Sequence, residues 1–191
     1  MRIPDDAEIR ALHERLAPTP QAFALVYTHC EIVARIASQL AGPGVDPALV
    51  RAGCLLHDIG VYRLGPGEAY IRHGVLGHEA LAGLGFPETL SRFCSHHTGV
   101  GLTREDVDRQ GLPLPVDDYV AETGEERLVM YADKFHSKST PPHFVSAAAY
   151  TVAVGRFGED KAAAFKAMVA EYGEPDLSRL AAEYGHPVVS C

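Results

Sequence analysis

The chain has 191 residues, of which 47% are hydrophobic and 22% charged, a composition typical of a folded globular protein and not of a disordered one. With 17 Lys and Arg against 25 Asp and Glu, its formal net charge is −8 at pH 7, which argues against polymeric nucleic acid and membrane surfaces as partners. No apolar run is long enough to cross a bilayer, and the first residues lack the pattern of a signal peptide, so we expect a cytoplasmic protein.

Segments rich in Ala and Leu recur at helical spacing, while alternating strand patterns are absent. A first amphipathic helix is predicted over residues 5–16. Thr19 and Pro20 favour the start of a second helix, as its N-cap and first-turn residues, and Asp46-Pro47 starts a third that ends near Gly60. Later helices are predicted over 71–84, 87–97, about 123–137, 142–156 and 158–184.

Residues 98–122 contain Gly, Pro and Asp throughout and predict a loop-rich stretch, with one short helix starting at Thr103. We interpret this stretch as a candidate lid over a functional site. Thr123-Gly124-Glu125-Glu126 has the spacing of a capping box, and the last seven residues are expected to form a loose tail. The pattern therefore predicts one all-α domain over 1–191, with a core at about 20–140 and C-terminal helices at about 142–184 packed on it.

Four cysteines, Cys30, Cys54, Cys94 and Cys191, lack CxxC spacing, which indicates a reducing compartment and neither a disulfide framework nor a zinc ribbon. Histidine is more unusual, with ten residues in the chain. Five predicted segments end or centre on a His or Asp in apolar surroundings, and these candidates are His29, His57-Asp58, His73, His96-His97 and Asp133.

Imidazole and carboxylate together suit Fe, Mn, Ni, Co or Zn, and ligands from separate helices are how a bundle builds an interior metal site. The adjacent His57 and Asp58 could serve two ions, with the Asp58 carboxylate as the bridge. Each residue also has an ordinary structural interpretation, since a buried His is commonly hydrogen-bonded within a core and Asp133 could pair with Arg127 or Lys134. The remaining histidines are interpreted as surface or outer residues: His13, His78, His136, His143 and His186.

The order His29, His57-Asp58, Asp133 resembles the HD-domain superfamily of metal-dependent phosphohydrolases, over about residues 23 to 140. Leu55-Leu56-His57-Asp58-Ile59-Gly60 matches the hallmark stretch of that family, and Tyr131-Ala132-Asp133 resembles its later Ala-Asp. His73-Gly74-Val75-Leu76-Gly77 and His96-His97-Thr98-Gly99 are similar to motifs of its two-metal subset. The Gly-Tyr-Pro motif of the cyclic-di-GMP branch is absent, and Val61 stands where that branch commonly has Lys. The chain looks most like small uncharacterised HD hydrolases of the HDIG type.

This resemblance implies an irregular helical bundle with two divalent ions. The first ion would be held by His29, His57, Asp58 and Asp133, and the second by Asp58, His73 and His96 or His97 or both. The implied function is hydrolysis of a small phosphorylated metabolite or nucleotide by a metal-activated hydroxide. Asp58, Lys134 and Arg72 are the expected catalytic residues, and Arg63 and Arg104 the expected substrate-binding residues.

Two other functions stay open at this point. Some proteins of the same superfamily, with the same six-ligand pattern and similar length, hold a mixed-valent di-iron centre and use O₂ to cleave phosphonates or oxidise inositol. Alternatively, the chain could be a binding module that only senses a nucleotide, although such modules usually lose ligands and none is missing here. The expected partner is a small phosphorylated molecule, and a homodimer is compatible with the sequence.

Overall fold

The computed structural model describes residues 2–190, which form a helical bundle with one very small sheet. The helices are α1 Asp6–Leu16, α2 Pro20–Leu40, α3 Pro47–Leu56, α4 His73–Gly83, α5 Glu88–Ser95, α6 Arg104–Arg109, α7 Gly124–Asp133, α8 Ala147–Gly155, α9 Glu159–Tyr172 and α10 Leu177–Tyr184. Two 3₁₀ helices, Ile59–Arg63 and Tyr70–Arg72, connect α3 to α4. The strands are β1 His136–Ser137, β2 His143–Val145 and β3 Val188–Val189. The expected all-α fold class is thus confirmed, with the sheet as a minor addition.

Side chains that accept hydrogen bonds from free backbone N–H groups set the first residues of several helices. Thr19 Oγ1 accepts a hydrogen bond from Ala22 N at 3.1 Å, and the Asp46 carboxylate accepts from Ala48 N at 2.9 Å. The predicted capping box at Thr123 is only half formed: its hydroxyl accepts from Glu126 N, but the Glu126 carboxylate accepts from Glu122 N instead. That carboxylate also pairs with Arg92, which ties α7 to α5.

Helix α2 is the centre of the bundle and packs against α3 and α7, while α4 packs against α5 and the first 3₁₀ helix. The apolar stripe of α2 that the spacing predicts is buried, at Val26, Val33, Ile36 and Leu40. Cys30, Cys54 and Cys94 are free and buried, whereas Cys191 lies outside the described residues. Burial of this apolar surface is the main source of stability for the bundle.

The structure differs from the predicted helices at the C-terminal end. Helix α7 ends at Asp133 and not near 137, because the chain turns there into β1. The predicted helix over 142–156 begins as strand β2, and the one over 158–184 is broken at Gly173, whose φ of +74° suits glycine. The tail predicted to be loose contains β3, which pairs in parallel with β2. Strands of two or three residues are too short to show an alternating pattern.

The stretch 98–122 contains α6, as the sequence predicts. A backbone bridge and an ion pair fix its conformation. Leu102 and Tyr119 form an antiparallel bridge across it. Asp106 is buried and forms an ion pair with Lys161 of α9. Among the described residues, no helix combines the length and the hydropathy required to cross a membrane.

Candidate metal centre

Six of the predicted site residues lie together in the middle of the bundle, supplied by five segments of the chain. His29 lies on α2, His57 and Asp58 directly follow α3, and Asp133 is the last residue of α7. His73 opens α4, and His97 follows the end of α5. All six have buried side chains except Asp133, whose side chain is 15% exposed.

Two glycines allow these elements to approach closely. A Cβ on Gly60 would lie 2.0 Å from the carbonyl oxygen of His73, and a Cβ on Gly74 would lie 2.7 Å from that of Cys94. The first contact brings α4 against the turn that carries Asp58, and the second brings α4 against α5. Glycine is needed at these positions because the backbones themselves are in contact. This packing explains the glycine that ends the segment 57–60 and the glycine that directly follows His73.

The first group of donor atoms surrounds one oxygen of Asp58. His29 Nε2 lies 3.2 Å from Asp58 Oδ2, 3.0 Å from Asp133 Oδ1 and 3.3 Å from His57 Nε2. His57 Nε2 lies 3.5 Å from Asp58 Oδ2 and 3.4 Å from Asp133 Oδ1. Two imidazole nitrogens and two carboxylate oxygens therefore face one point.

The second group surrounds the other oxygen of the same carboxylate. His73 Nε2 lies 3.3 Å from Asp58 Oδ1 and 3.0 Å from His97 Nε2. His97 Nε2 lies 3.7 Å from Asp58 Oδ1. Asp58 is thus shared between the two groups, one oxygen to each.

These separations suit metal coordination. Ligands about 2.1 Å from one ion stand about 3.0 Å apart along an octahedral edge and about 3.4 Å apart in a tetrahedron. Asp58 Oδ1 is buried and accepts no hydrogen bond from the described residues, which is a costly arrangement for a carboxylate oxygen unless a cation compensates it, whereas Oδ2 is ion-paired with Lys138. The donor set and this unpaired oxygen fit one or two divalent ions.

The imidazole tautomers also suit metal binding. The Nδ1 atoms of His57 and His73 each donate at 2.7 Å to a backbone carbonyl, of Cys54 and Tyr70, and that of His97 donates to Phe93 O at 3.0 Å. A carbonyl can only accept, so each Nδ1 carries a proton and Nε2 is the nitrogen that faces the cluster. A hydrogen bond of this kind orients the ring of a metal-ligating histidine.

Both carboxylates and one imidazole of the cluster have the protonation states that metal ligands require. Burial raises the pKa of Asp58, but Lys138 and His57 outweigh it and hold the pKa well below its usual range. The pKa of Asp133 is likewise held low against burial, chiefly by Lys134 and His29. Burial lowers the pKa of His97 well below its usual value, so this imidazole is neutral. Burial also lowers the pKa of His57, but Asp58 outweighs it and raises the pKa well above its usual value, so an ion bound there would take the place of the His57 Nε2 proton.

Two lysines bring positive charge to the cluster. Lys134 Nζ donates to His97 O at 2.8 Å and to Asp133 Oδ2 at 2.6 Å. Lys138 Nζ forms an ion pair with Asp58 Oδ2 and lies 5.4 Å from the centre of the Tyr70 ring. Lys134 was among the residues expected from the sequence, whereas Lys138 was not.

Four predicted site residues lie apart from the cluster. His96 Nδ1 contacts Ser95 Oγ at 2.6 Å and its ring packs edge-on to Tyr119. Arg72 pairs with Glu68 at 2.8 Å, and the exposed Arg104 pairs with Asp117 at 3.1 Å. Arg63 is exposed at the end of its 3₁₀ helix. Long arginine side chains reach the nearest carboxylate, which spacing along the chain does not reveal.

His136 and Lys138 are the residues that sequence reasoning missed. His136 is buried, and its Nδ1 lies 2.8 Å from Nδ1 of His29. Burial, with His29 and His186 nearby, lowers the pKa of His136 to about 2. Both residues follow Asp133 within five positions, so the sequence places them near a predicted ligand. The sequence also predicts this segment as the end of a helix, in which side chains two positions apart point to different faces. That prediction hid their common position beside the cluster.

Three adjoining cavities surround the cluster. The central cavity, of about 220 Å³, is lined by Asp58, His73, His97 and both lysines. A second cavity, of about 480 Å³, shares Tyr70 and both lysines with the central one. We call it the polar cavity because it is also lined by His29, His136, Ser137 and Ser139. The apolar cavity, of about 240 Å³, shares Ile71, Thr98 and Gly99 with the central cavity and is further lined by Leu102, Leu112, Val154 and Phe157. The cluster is therefore reachable by a molecule with a charged part and an apolar part.

The part of the chain that carries this cluster is similar to known proteins. The family model described as HD domain matches residues 26–138, a range that contains all six converging residues. The uncharacterized protein MJ0778 of Methanocaldococcus jannaschii is 43% identical over 114 residues, which are 56% of this chain and 64% of that protein. A tRNA (cytidine(56)-2'-O)-methyltransferase of Picrophilus torridus is 39% identical over 114 residues, 59% of this chain and 32% of that one.

These matches span less than two thirds of either relative, and only about a third of the methyltransferase. Among solved structures, the HD domain of the Listeria monocytogenes phosphodiesterase PgpH in complex with cyclic-di-AMP superposes with a TM-score of 0.51 at 16% identity. That superposition covers 95% of this chain and 99% of the other. At this identity it shows a shared fold.

Proposed function

The chain belongs to the HD domain family, and we propose that it is a metal-dependent phosphohydrolase acting on a small phosphorylated metabolite or nucleotide. One observation carries this proposal. The Asp58 carboxylate has one oxygen facing His29, His57 and Asp133, and the other facing His73 and His97. A shared carboxylate between two imidazole groups is the arrangement that a two-ion site for hydrolysis needs.

One ion would be held by His29, His57, Asp58 and Asp133, and the other by Asp58, His73 and His97. When bound, such ions supply Lewis-acid charge stabilisation and lower the pKa of a coordinated water toward neutrality. His96 is left out of this assignment because its side chain lies against Ser95 and Tyr119.

The two lysines provide the positive charge that a phosphate ester needs from the protein itself. Lys134 is buried and fixed by two acceptors, so its ammonium is positioned before a substrate arrives. Lys138 lines both the central and the polar cavity, so it can reach a phosphate that enters from either side. Lys134 keeps the role that the sequence suggests for it, and we give Lys138 the role that the sequence suggests for Arg72, Arg63 and Arg104.

The apolar cavity supports a substrate with an apolar portion beside its phosphate. Its walls at Leu102, Leu112, Val154 and Phe157 offer dispersion contacts and few hydrogen-bonding groups. Since it adjoins the central cavity through Ile71, Thr98 and Gly99, one ester could place its phosphate at the cluster and its organic group here.

Phosphate release is the direct test of the proposed function. The purified chain would be stripped with a chelator, reloaded anaerobically with Mn²⁺, Co²⁺, Ni²⁺, Zn²⁺ or Fe²⁺, and assayed against a panel of nucleotides and phosphorylated metabolites. The proposal expects phosphate release that depends on the added metal and not on O₂. Turnover that needs both iron and O₂ would instead identify an oxygenase, and metal binding without turnover of any substrate would indicate a binding module.

A separate experiment tests whether the organic group of the substrate binds in the apolar cavity. Leu112→Asn places an amide in the apolar cavity, and we expect it to raise KM for phenyl phosphate about tenfold while changing KM for glycerol phosphate little. Val116→Asn, at a residue 54% exposed, is the matched control on the same loop. An equal effect of Leu112→Asn on both esters would place the organic group elsewhere.

A further inference from the structure

Three histidines form a continuous chain from the cluster to the C-terminal segment. His29 Nδ1 lies 2.8 Å from His136 Nδ1, and His136 Nε2 lies 3.0 Å from His186 Nδ1. The rings of His29 and His186 are nearly parallel to that of His136, at interplanar angles of 28° and 18°, and each centroid lies 5.2 Å from that of His136, as expected for rings bonded end to end. His29 and His136 are buried, and His186 is half-buried.

The hydrogen-bonding capacity of a neutral imidazole allows this chain to run in two directions. Each neutral ring has one N–H donor and one acceptor nitrogen. If the lone pair of His29 is on Nε2, its Nδ1–H donates to His136 Nδ1, and His136 Nε2–H then donates to His186 Nδ1. In the reverse order the His29 proton would be on Nε2, 3.0 Å from Asp133 Oδ1. An ion that takes Nε2 excludes that order and selects the first one.

We propose that His136 and His186 are positioning residues that hold His29 in the tautomer with its Nε2 lone pair directed at the first ion. His57, His73 and His97 have backbone carbonyls for this purpose, but His29 has another histidine. The inference deepens the proposed function and rests on it, since it concerns a ligand of the same site.

The C-terminal segment therefore completes the surroundings of the cluster. His186 lies between Gly185, which ends α10 with a φ of +68°, and Pro187, whose carbonyl accepts from Phe144 N at 2.8 Å. Ser146 N donates to Val189 O at 3.0 Å, which holds the next residues on β2. A change in the last residues of the chain should thus be felt at His29, although those residues touch no predicted ligand of the second group.

Metal affinity is the readout that tests this inference without relying on turnover. Zn²⁺ affinity would be measured by competition with a chromophoric chelator for the wild type and for four variants. His136→Phe leaves His29 Nδ1–H without an acceptor, and we expect affinity to fall about 10- to 100-fold. His136→Asn offers an amide oxygen near the Nδ1 position and should recover most of the loss. His186→Ala should have an intermediate effect.

The control is His143→Ala on β2, whose imidazole is hydrogen-bonded to Ser139 and Pro141 and to none of the predicted ligands in the described part of the chain, and it should leave affinity unchanged. Nitrogen-15 spectra of the Zn²⁺-loaded protein should show the His29 proton on Nδ1. Unchanged affinity in both His136→Phe and His186→Ala, or a His29 proton on Nε2, would overturn the inference. A wild type that binds no divalent metal would instead refute the proposed function itself, so the two failures are distinguishable. Because His186 is half-buried, its variant also tests the inference should His136→Phe fail to fold.

Discussion

Lys138 Nζ is ion-paired with Asp58 Oδ2, the carboxylate oxygen that also faces His29 and His57. A lysine therefore brings its positive charge to the same group that we assign as the bridge between two ions. Lys138 also lines the polar cavity, where a phosphate would approach. One residue thus opposes metal binding by charge and favours phosphate binding by the same charge.

Lys138→Met should separate these two effects. We expect divalent-metal affinity to rise several-fold, because a repelling charge is removed, and the inhibition constant of inorganic phosphate to rise about tenfold, or about 1.4 kcal/mol. Chelator competition and inhibition kinetics measure the two quantities. Lys166→Met, at an exposed lysine of α9, is the control and should change neither. Phosphate inhibition that is unchanged in Lys138→Met would remove this residue from the substrate site.

Gly60→Ala should destabilise the fold. The new Cβ would lie 2.0 Å from His73 O and 2.3 Å from Gly77 N, both backbone atoms that cannot move away separately from α4. We expect a loss of about 3 kcal/mol in the free energy of unfolding. Gly83→Ala is the control. Gly83 is the last residue of α4, and no atom lies within 4 Å of the new Cβ, so this variant should be neutral or slightly stabilising. Urea unfolding of both variants makes the comparison, and equal stability would contradict the packing described here.

The ion pair of Asp106 with Lys161 should make the free energy of unfolding depend on pH below about pH 4. Burial raises the pKa of Asp106, but the bonds from Lys161 and Thr103 outweigh it and lower the pKa to about 2. A lowered pKa in the folded state stabilises the protein above the unfolded pKa of about 3.9, and this contribution is lost as pH falls through about 2.

Asp106→Asn should therefore change the pH dependence of stability. The difference in unfolding free energy between wild type and variant should shrink by about 2 kcal/mol between pH 4 and pH 2. Urea titrations at several pH values provide the measurement, with Asp108→Asn, at an exposed carboxylate, as the control. A difference that is constant with pH would show that the pair does not stabilise the 98–122 stretch.

The sequence predicted the helical fold and the convergence of His29, His57, Asp58, His73, His97 and Asp133 because these residues lie at helix ends and on one apolar stripe. It could not choose between His96 and His97. Adjacent residues at a helix end point in different directions, and the last turn of α5 decides which one enters the cluster, since His97 Nδ1 is held by Phe93 O.

The roles of His136 and Lys138 could not be predicted because they depend on tertiary pairing. Both follow α7 in a segment whose direction is set by β1 pairing with β2, and β2 is in turn held by β3 from the end of the chain. Pairing between residues 44 positions apart, as in β2 and β3, leaves no periodic signal in so short a strand.

Metal content of Asp58→Ala, measured by elemental analysis beside the wild type and Asp108→Ala, tests the central claim most directly. Circular dichroism would show that each variant is folded. If Asp58 bridges two ions, the wild type and Asp108→Ala should each bind two divalent ions per chain, and Asp58→Ala should bind none tightly and release no phosphate. An Asp58→Ala protein with full metal content would contradict the two-ion assignment.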